Sequence, residues 1–380
     1  MIGAGTMGSG ITQVAATAGL ETLLFDADPG MVSKAKQGHS DTMKKLVEKG
    51  KVTRESADKV LASISYAKHP SEFSECDFVI EAIVENLDFK QKLFNDIEKI
   101  VDEDCILATN TSSLSVTSIA SVCNQPSRVI GIHFFNPAPL MPLVEIVKGL
   151  ATSTEIAIRT KEMIVGLGKA PVLAKDTPGF IVNRIARPFY GESIRIFEEG
   201  ISDFATIDWA MKENGFKMGP FELMDLIGND INYTVTETVW SQLFFDPRYK
   251  PSLTQKRLFE AKRFGRKSGQ GYYSYAPGSI MPEPKKDSAL AEKMFMRVLA
   301  MLINEAADAL FFGIATRDDI DMAMTKGVNY PKGLLKWCDE IGSDKILAQL
   351  NELKEEYAED RYRPSVLLSR MVKEKKKFYA

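Results

Sequence analysis

Of the three histidines in the chain, only His133 ends a strand-like apolar run, within RVIGIHFFNPAPLMPLVE from Arg128 to Glu145. An imidazole with a pKa near ~6.5 takes or gives a proton at neutral pH. His39 lies in a polar, helix-like segment, and His69 precedes a proline in a loop. Glu145 falls inside MPLVEIV, where a carboxylate is costly unless it has a partner. If the NPAPLMP turn joins two neighbouring strands, Glu145 returns beside His133. There it holds one ring nitrogen while the other serves a substrate, the arrangement of a general base with an orienting carboxylate. The alternative for Glu145 is a solvent-facing position on an edge strand.

The opening MIGAGTMGSGITQVAATAGLETLLFDAD sets Gly3, Gly5 and Gly8 in GxGxxG spacing, ahead of a helix of small residues and the strand-like TLLFD. Gly3 permits a tight turn, Gly5 lets backbone approach a pyrophosphate, and Gly8 allows close packing. Thr6 and Met7 open the helix whose amino end faces that phosphate. Asp26, at the end of the next strand, is placed to accept from an adenosine ribose, and its charge repels a 2′-phosphate, so NAD is favoured over NADP. Only Met1 and Ile2 precede Gly3. A central strand that short would leave neighbouring backbone groups unpaired, and a record trimmed at its start is the expectation.

Three more apolar runs, DFVIEAI, CILATNTSS and RVIGIHFF, alternate with the helical stretches DFKQKLFNDIEKIV and SVTSIAS. Alternation of this kind gives parallel strands with a ligand over their carboxyl ends, where Glu85, Asn110, Ser112 and His133 fall. Turn and helix-cap chemistry explains some of these polar residues but not all of them. The stretch Pro29 to Leu61 is helical in period and rich in lysine, read either as a solvated face or as an anchor for a phosphate-bearing substrate tail. A fourth helix and the strand KAPVLA lead to KDTPGFIVNRIARPFYGESIRIFEEG, read as one long helix from Pro178 to Gly200 with Asn183 in its first turns.

The remainder repeats itself. GESIRIFEEG and IDWAMKENGFKMGPFELMDLIG recur as NEAADALFFG and IDMAMTKGVNYPKGLLKWCDEIG, pairing Arg184 with Arg297, Glu192 with Glu305, and Asp208 with Asp321. Met296 stands in the second copy where the first has Asn183, so the second copy reads as packing. The expected organisation is an α/β Rossmann-type doubly wound sheet (1–176), then an all-α region of two repeated helical modules (177–276 and 288–380) joined by a 277–287 linker.

With 380 residues, 44% of them hydrophobic and 26% charged, the chain has ample core for such domains. A net charge of −3 gives no reason to expect nucleic acid, and no apolar run is long enough to span a bilayer. Cys76, Cys105, Cys123 and Cys338 show neither metal-ligand spacing nor disulfide-like clustering. No metal site is expected, and a cytoplasmic setting is.

The stretches GAGTMG, EAIVENLDFKQKLF, ATNTSSLSVTSIA, HFFNPAPLMPLVEIV, KDTPGFIVNR, GPFELMDLIG and RKSGQGYY resemble the 3-hydroxyacyl-CoA dehydrogenase family, over Met1 to about Tyr275. The doubled helical module is similar to the dehydrogenase part of the multifunctional fatty-acid oxidation enzymes. The resemblance implies NAD-dependent interconversion of (3S)-3-hydroxyacyl-CoA and 3-ketoacyl-CoA. It implies His133 as general base, Glu145 as its orienting carboxylate, and Ser112 and Asn183 as contacts to the substrate oxygen. It places Asp26 on the adenosine ribose and Ala82, Glu85, Lys90 and Asn110 along the cofactor channel, and it favours coenzyme A as the partner of the basic helices. It also implies a second copy that mimics a dimer partner within a monomer, or else a homodimer, and an enoyl-CoA hydratase that is fused or separate. Two rival readings are a Rossmann enzyme acting on free hydroxy acids and a non-enzymatic binding protein that keeps the fold.

Overall fold

The computed structural model describes residues 1–379 and divides the chain into two compact units, Met1–Thr177 and Pro178 onward. In the first unit, β1 (Thr22–Leu24) and β2 (Ile64–Tyr66) pair in parallel. Five further strands, β3 (Phe78–Glu81), β4 (Ile106–Thr109), β5 (Val129–Phe134), β6 (Leu143–Lys148) and β7 (Ala170–Lys175), lie side by side in that order. Every pair is parallel except β5 with β6.

The expected gap at the first strand is closed by three residues. Ile2 bridges Phe25 on one side and Glu81 on the other, both in parallel. Phe25 N–H donates to Met1 O (2.9 Å) and Gly3 N–H to Phe25 O (2.8 Å); Ile2 N–H donates to Ile80 O (2.9 Å) and Ala82 N–H to Ile2 O (2.7 Å). The neighbouring strands β1 and β3 are three and four residues long. The sheet therefore runs β2, β1, residues 1–3, β3, β4, β5, β6, β7, with its switch point beside Gly3, where a doubly wound sheet opens its ligand crevice.

Helices cover both faces of the sheet. Ile11 and Val14 of the helix Thr6–Thr17, and Ile156 and Ile164 of the helix Thr154–Gly166, pack with Ile106, Ile130 and Ile146. On the opposite face Phe94 and Ile97 of the helix Leu87–Ile97, with Ile119 of the short helix Val116–Ala120, pack with Val79, Leu107 and Val129. The lysine-rich stretch is two helices, Pro29–Glu48 and Arg54–Ala62, broken at Gly50, whose φ is +64°. Asp28 caps the first by accepting from Gly30 N–H, and Thr53 caps the second by accepting from Ser56 N–H.

The second unit departs from the expected single helix over Pro178–Gly200. Gly179 and Phe180 have φ of +76° and +47°, so helix starts only at Val182–Ile185 and restarts at Arg187–Glu198. Pro188 has no N–H to offer the Arg184 carbonyl, which explains the break between the two.

The two helical copies carry the same caps. Asp208 accepts from Phe221 N–H, Glu222 N–H and Tyr273 OH; Asp321 accepts from Leu335 N–H, Lys336 N–H and Tyr379 OH. Tyr379 is thus the counterpart of Tyr273. The copies also exchange ion pairs reciprocally: Arg184 Nε reaches Glu305 (2.8 Å) and Arg297 Nε reaches Glu192 (3.0 Å). The Tyr249 hydroxyl donates to Glu305, and the Tyr362 hydroxyl donates to Glu192. Among the described residues no helix is long and apolar enough to cross a membrane.

Close packing at the glycine-rich turn is testable. A Cβ on Gly8 would stand 1.8 Å from the Gly3 carbonyl oxygen. Gly8→Ala should lower the unfolding free energy by roughly 1–3 kcal/mol in urea titration, and NAD affinity should fall with it in a fluorescence titration.

Candidate active site

Because β5 and β6 pair antiparallel, residues facing each other across the pair come from opposite ends of the NPAPLMP loop. The register sets His133 opposite Glu145. Their side chains lie on the same face, with His133 Nδ1 and Glu145 Oε2 2.7 Å apart. Glu145 is fully buried, and β6 is flanked by β5 and β7, so the edge-strand alternative fails. His133 is 7% exposed and packs on the Phe135 ring, with centroids 4.5 Å apart.

The loop between the strands is anchored in two ways. It contains a cis Asn136–Pro137 peptide, and Lys169 Nζ donates to the carbonyls of Ala138 (2.6 Å) and Met141 (2.9 Å). Burial lowers the Lys169 pKa. On the other side of His133, Asn110 Oδ1 accepts from Phe134 N–H at 2.9 Å, tying the end of β4 to the strand that carries the histidine.

A second polar cluster lies at the ends of β3 and β4. Glu85 Oε1 accepts from the Thr111 hydroxyl (2.5 Å), Ser112 N–H (3.0 Å) and Ser113 N–H (3.3 Å), which fixes the turn that presents Ser112. Burial pushes the Glu85 carboxyl up, but the Lys90 ammonium and the Thr111 and Ser112 donors outweigh it and hold its pKa below the ordinary glutamate value. Lys90 lies beneath this turn, 1% exposed, with Nζ 2.5 Å from Glu81 and 3.2 Å from Glu85. Glu81 also accepts from Ile83 N–H (2.6 Å) and the Thr109 hydroxyl (2.7 Å). Glu81, Thr109 and Lys169 escaped sequence reasoning. The four-residue separation of the two glutamates in EAIVE was the available signal for Glu81, since it sets both carboxylates around the amino end of the following helix.

The glycine-rich turn fits a dinucleotide. Gly3 has φ of +103°, and a Cβ there would meet Ala82 O at 2.5 Å, so Ala82 walls the turn. A Cβ on Gly5 would meet nothing within 4 Å. Gly5 is also the N-cap of the helix Thr6–Thr17, which has no side-chain cap and no acidic residue in its first turn, leaving its opening amides, including those of Thr6 and Met7, for a phosphate. Asp26 is half-buried and accepts from Ala4 N–H at 2.7 Å, which fixes the carboxylate beside this open space. His39 braces the same helix by hydrogen bonds to Ser9 and Tyr66, and burial lowers its pKa. Asn183 lies in the second unit, on the helix Val182–Ile185, with its carbonyl accepting from Arg187 Nε. No group of histidine, cysteine and acidic side chains among the described residues has the geometry of a metal site.

Residues 1–177 match the 3-hydroxyacyl-CoA dehydrogenase, NAD binding domain, and residues 179–275 and 294–378 each match the C-terminal domain of that family. This chain belongs to the 3-hydroxyacyl-CoA dehydrogenase family, and as such it is an NAD-dependent oxidoreductase of 3-hydroxyacyl-CoA substrates. It is 36% identical to the 3-hydroxyadipyl-CoA dehydrogenase of Escherichia coli K12, over 97% of this chain and 96% of that protein. The crystal structure of 3-hydroxybutyryl-CoA dehydrogenase from Escherichia coli K12 matches with a TM-score of 0.94 at 35% identity, covering 98% of this chain and 97% of that one. A fatty acid oxidation complex subunit alpha from Psychrobacter cryohalolentis is 35% identical over 94% of this chain, which spans about half (52%) of that subunit.

Two measurements probe the Glu81–Lys90–Glu85 cluster. Lys90→Met leaves buried Glu81 without its cation and should cost about 3–5 kcal/mol in urea unfolding. The folded-state pKa of Glu85 is depressed, so its contribution is fully present above the ordinary value of 4.5 and is lost as pH falls below it. The stability difference between wild type and Glu85→Gln should therefore hold from pH 7 down to about 4.5 and shrink as pH is lowered further.

Proposed function

We propose that His133 is the general base of an NAD-linked oxidation of (3S)-3-hydroxyacyl-CoA, and the general acid of the reverse reaction. The observation that carries this reading is the 2.7 Å contact of His133 Nδ1 with a fully buried carboxylate at the carboxyl end of β5. NAD, held at the glycine-rich turn, would supply the hydride acceptor for C3. His133 Nε2 takes the hydroxyl proton as the C3–O bond gains its double-bond character. Glu145, accepting from Nδ1–H, fixes the tautomer and stabilises the imidazolium that forms. The Ser112 hydroxyl donates to the reacting oxygen, on a turn that Glu85 holds rigid, and Asn183 is assigned as a further contact to that oxygen.

Asp26 and the amides at Gly5, Thr6 and Met7 hold the adenosine ribose and the pyrophosphate, while Gly3, Gly8 and Ala82 shape the turn around them. Asn110, Glu85 and Lys90 support the cofactor channel from the strand ends. The lysines of Pro29–Glu48 and Arg54–Ala62 are assigned to the phosphates of coenzyme A. The setting is cytoplasmic, with an enoyl-CoA hydratase, fused or separate, supplying the hydroxyacyl thioester. The two helical copies make each other's interface within one chain.

Purified protein should reduce acetoacetyl-CoA with NADH, read at the nicotinamide absorbance. His133→Gln should lower turnover by about 10²–10⁴-fold while NAD affinity stays within a factor of two to three. Turnover of 3-hydroxybutyryl-CoA by His133→Gln at the wild-type rate would sink the mechanism.

A further inference from the structure

The repeat supplies an internal control for every position of the helical unit. The reciprocal pairs Arg184–Glu305 and Arg297–Glu192, together with the matched caps Asp208 and Asp321, fix which residues correspond. Gly228 and Gly342, with φ of +105° and +106°, extend the register through the next helix. By this register Arg187, Tyr190, Asn232, Thr236 and Gln255 of the first copy correspond to Ala300, Ile303, Ile346, Leu350 and Leu368 of the second. All five of the second set are fully buried, so plain hydrocarbon satisfies the module at these places. The first copy puts a polar group at each of them, and Tyr330 replaces the Phe216 of the first copy in the adjoining aromatic cluster.

That polar group is built around an uncompensated charge. Arg187 is 7% exposed; its Nε donates to the Asn183 carbonyl (2.8 Å), its Nη1 donates to Thr236 Oγ1 (3.1 Å), and its guanidinium lies over the Tyr190 ring. Among the described residues no carboxylate lies within ion-pair distance of it, whereas the buried Arg184, Arg248 and Arg297 each have one or more. Burial consequently lowers the Arg187 pKa, with only Tyr190 and Tyr330 opposing. The Tyr330 hydroxyl is buried without a hydrogen-bond partner among the described residues. Arg187, Tyr190, Arg195, Thr236, Lys250 and Gln255 line one cavity. Glu192, the carboxylate in its wall, is already engaged by Arg297 at 3.0 Å and Arg195 at 3.6 Å.

A buried guanidinium is costly until an anion meets it, and its planar fork matches a carboxylate. We propose that Arg187 and the cavity it lines form a carboxylate-binding site that receives the far end of a dicarboxylic acyl chain on the substrate. The Nε bond to the Asn183 backbone puts this site one helical turn from the residue assigned to the reacting oxygen. That spacing suits a short diacid carried as a thioester at its other end. The substrate source rests on the dehydrogenase reading above. The carboxylate site itself does not.

The test uses wild type and Arg187→Ala, a change that installs the residue the second copy already tolerates at Ala300. Two readings are taken: the ratio of kcat/KM for 3-hydroxyadipyl-CoA to that for 3-hydroxybutyryl-CoA, and the melting temperature with millimolar adipate or acetate. The ratio should fall at least about tenfold in Arg187→Ala, with partial recovery in Arg187→Lys, and adipate should raise the melting temperature of wild type more than that of Arg187→Ala. If adipate stabilises only wild type while the ratio is unmoved, the site takes a free dicarboxylate, and the substrate assignment is overturned. Inactivity of wild type toward both thioesters, with adipate stabilisation retained, would remove the dehydrogenase reading and leave the site. An unmoved ratio together with equal adipate effects on both proteins overturns the proposal.

Discussion

The antiparallel pairing of β5 with β6 is the constraint on which the candidate site depends. In an otherwise parallel sheet it is the one place where two residues twelve apart in sequence are brought face to face. A parallel crossover would need a dozen or more residues and would carry Glu145 to the other end of the sheet. The reversal instead puts a carboxylate and an imidazole on one face at hydrogen-bond distance, and the strands on either side seal the carboxylate from water. A side-chain period of two makes this pairing all-or-none, because a slip of one residue would turn Glu145 to the opposite face.

Around that pair, the remaining polar groups are held by their neighbours rather than left to find a geometry. Asn110 spends its carbonyl on Phe134 N–H, Glu85 spends one oxygen on the turn carrying Ser112, and Lys169 gathers the carbonyls of the loop between the strands. Buried Lys90 lies between two glutamates, so the cluster carries one net negative charge at the strand ends. Supports of this kind are what hold the side chains of a site within a fraction of an ångström of one arrangement.

Much of this was legible in the sequence because the signals were local. The glycine spacing, the acidic residue after TLLFD and the imidazole-to-carboxylate separation each sit within one supersecondary unit. The repeat was legible because its matching aspartates cap equivalent helices in both copies. What was misjudged depended on pairing that spacing does not encode. The start of the Asn183 helix, for one, follows from backbone angles at Gly179 and Phe180. Glu81 and Lys169 passed unnoticed because their partners are backbone groups and residues far along the chain.

The reciprocal ion pairs between the two helical copies have an evolutionary side. When two identical chains supply such an interface, every substitution appears twice, and a polar residue added for one purpose is imposed on both halves. Here both halves belong to one polypeptide and each can change alone. Ala300, Ile303 and Leu350 belong to a half that is plain hydrocarbon at these places, while Arg187, Tyr190 and Thr236 belong to one that is polar there. Joining the halves on a single chain therefore does more than hold them together on dilution: it releases them from having to stay alike.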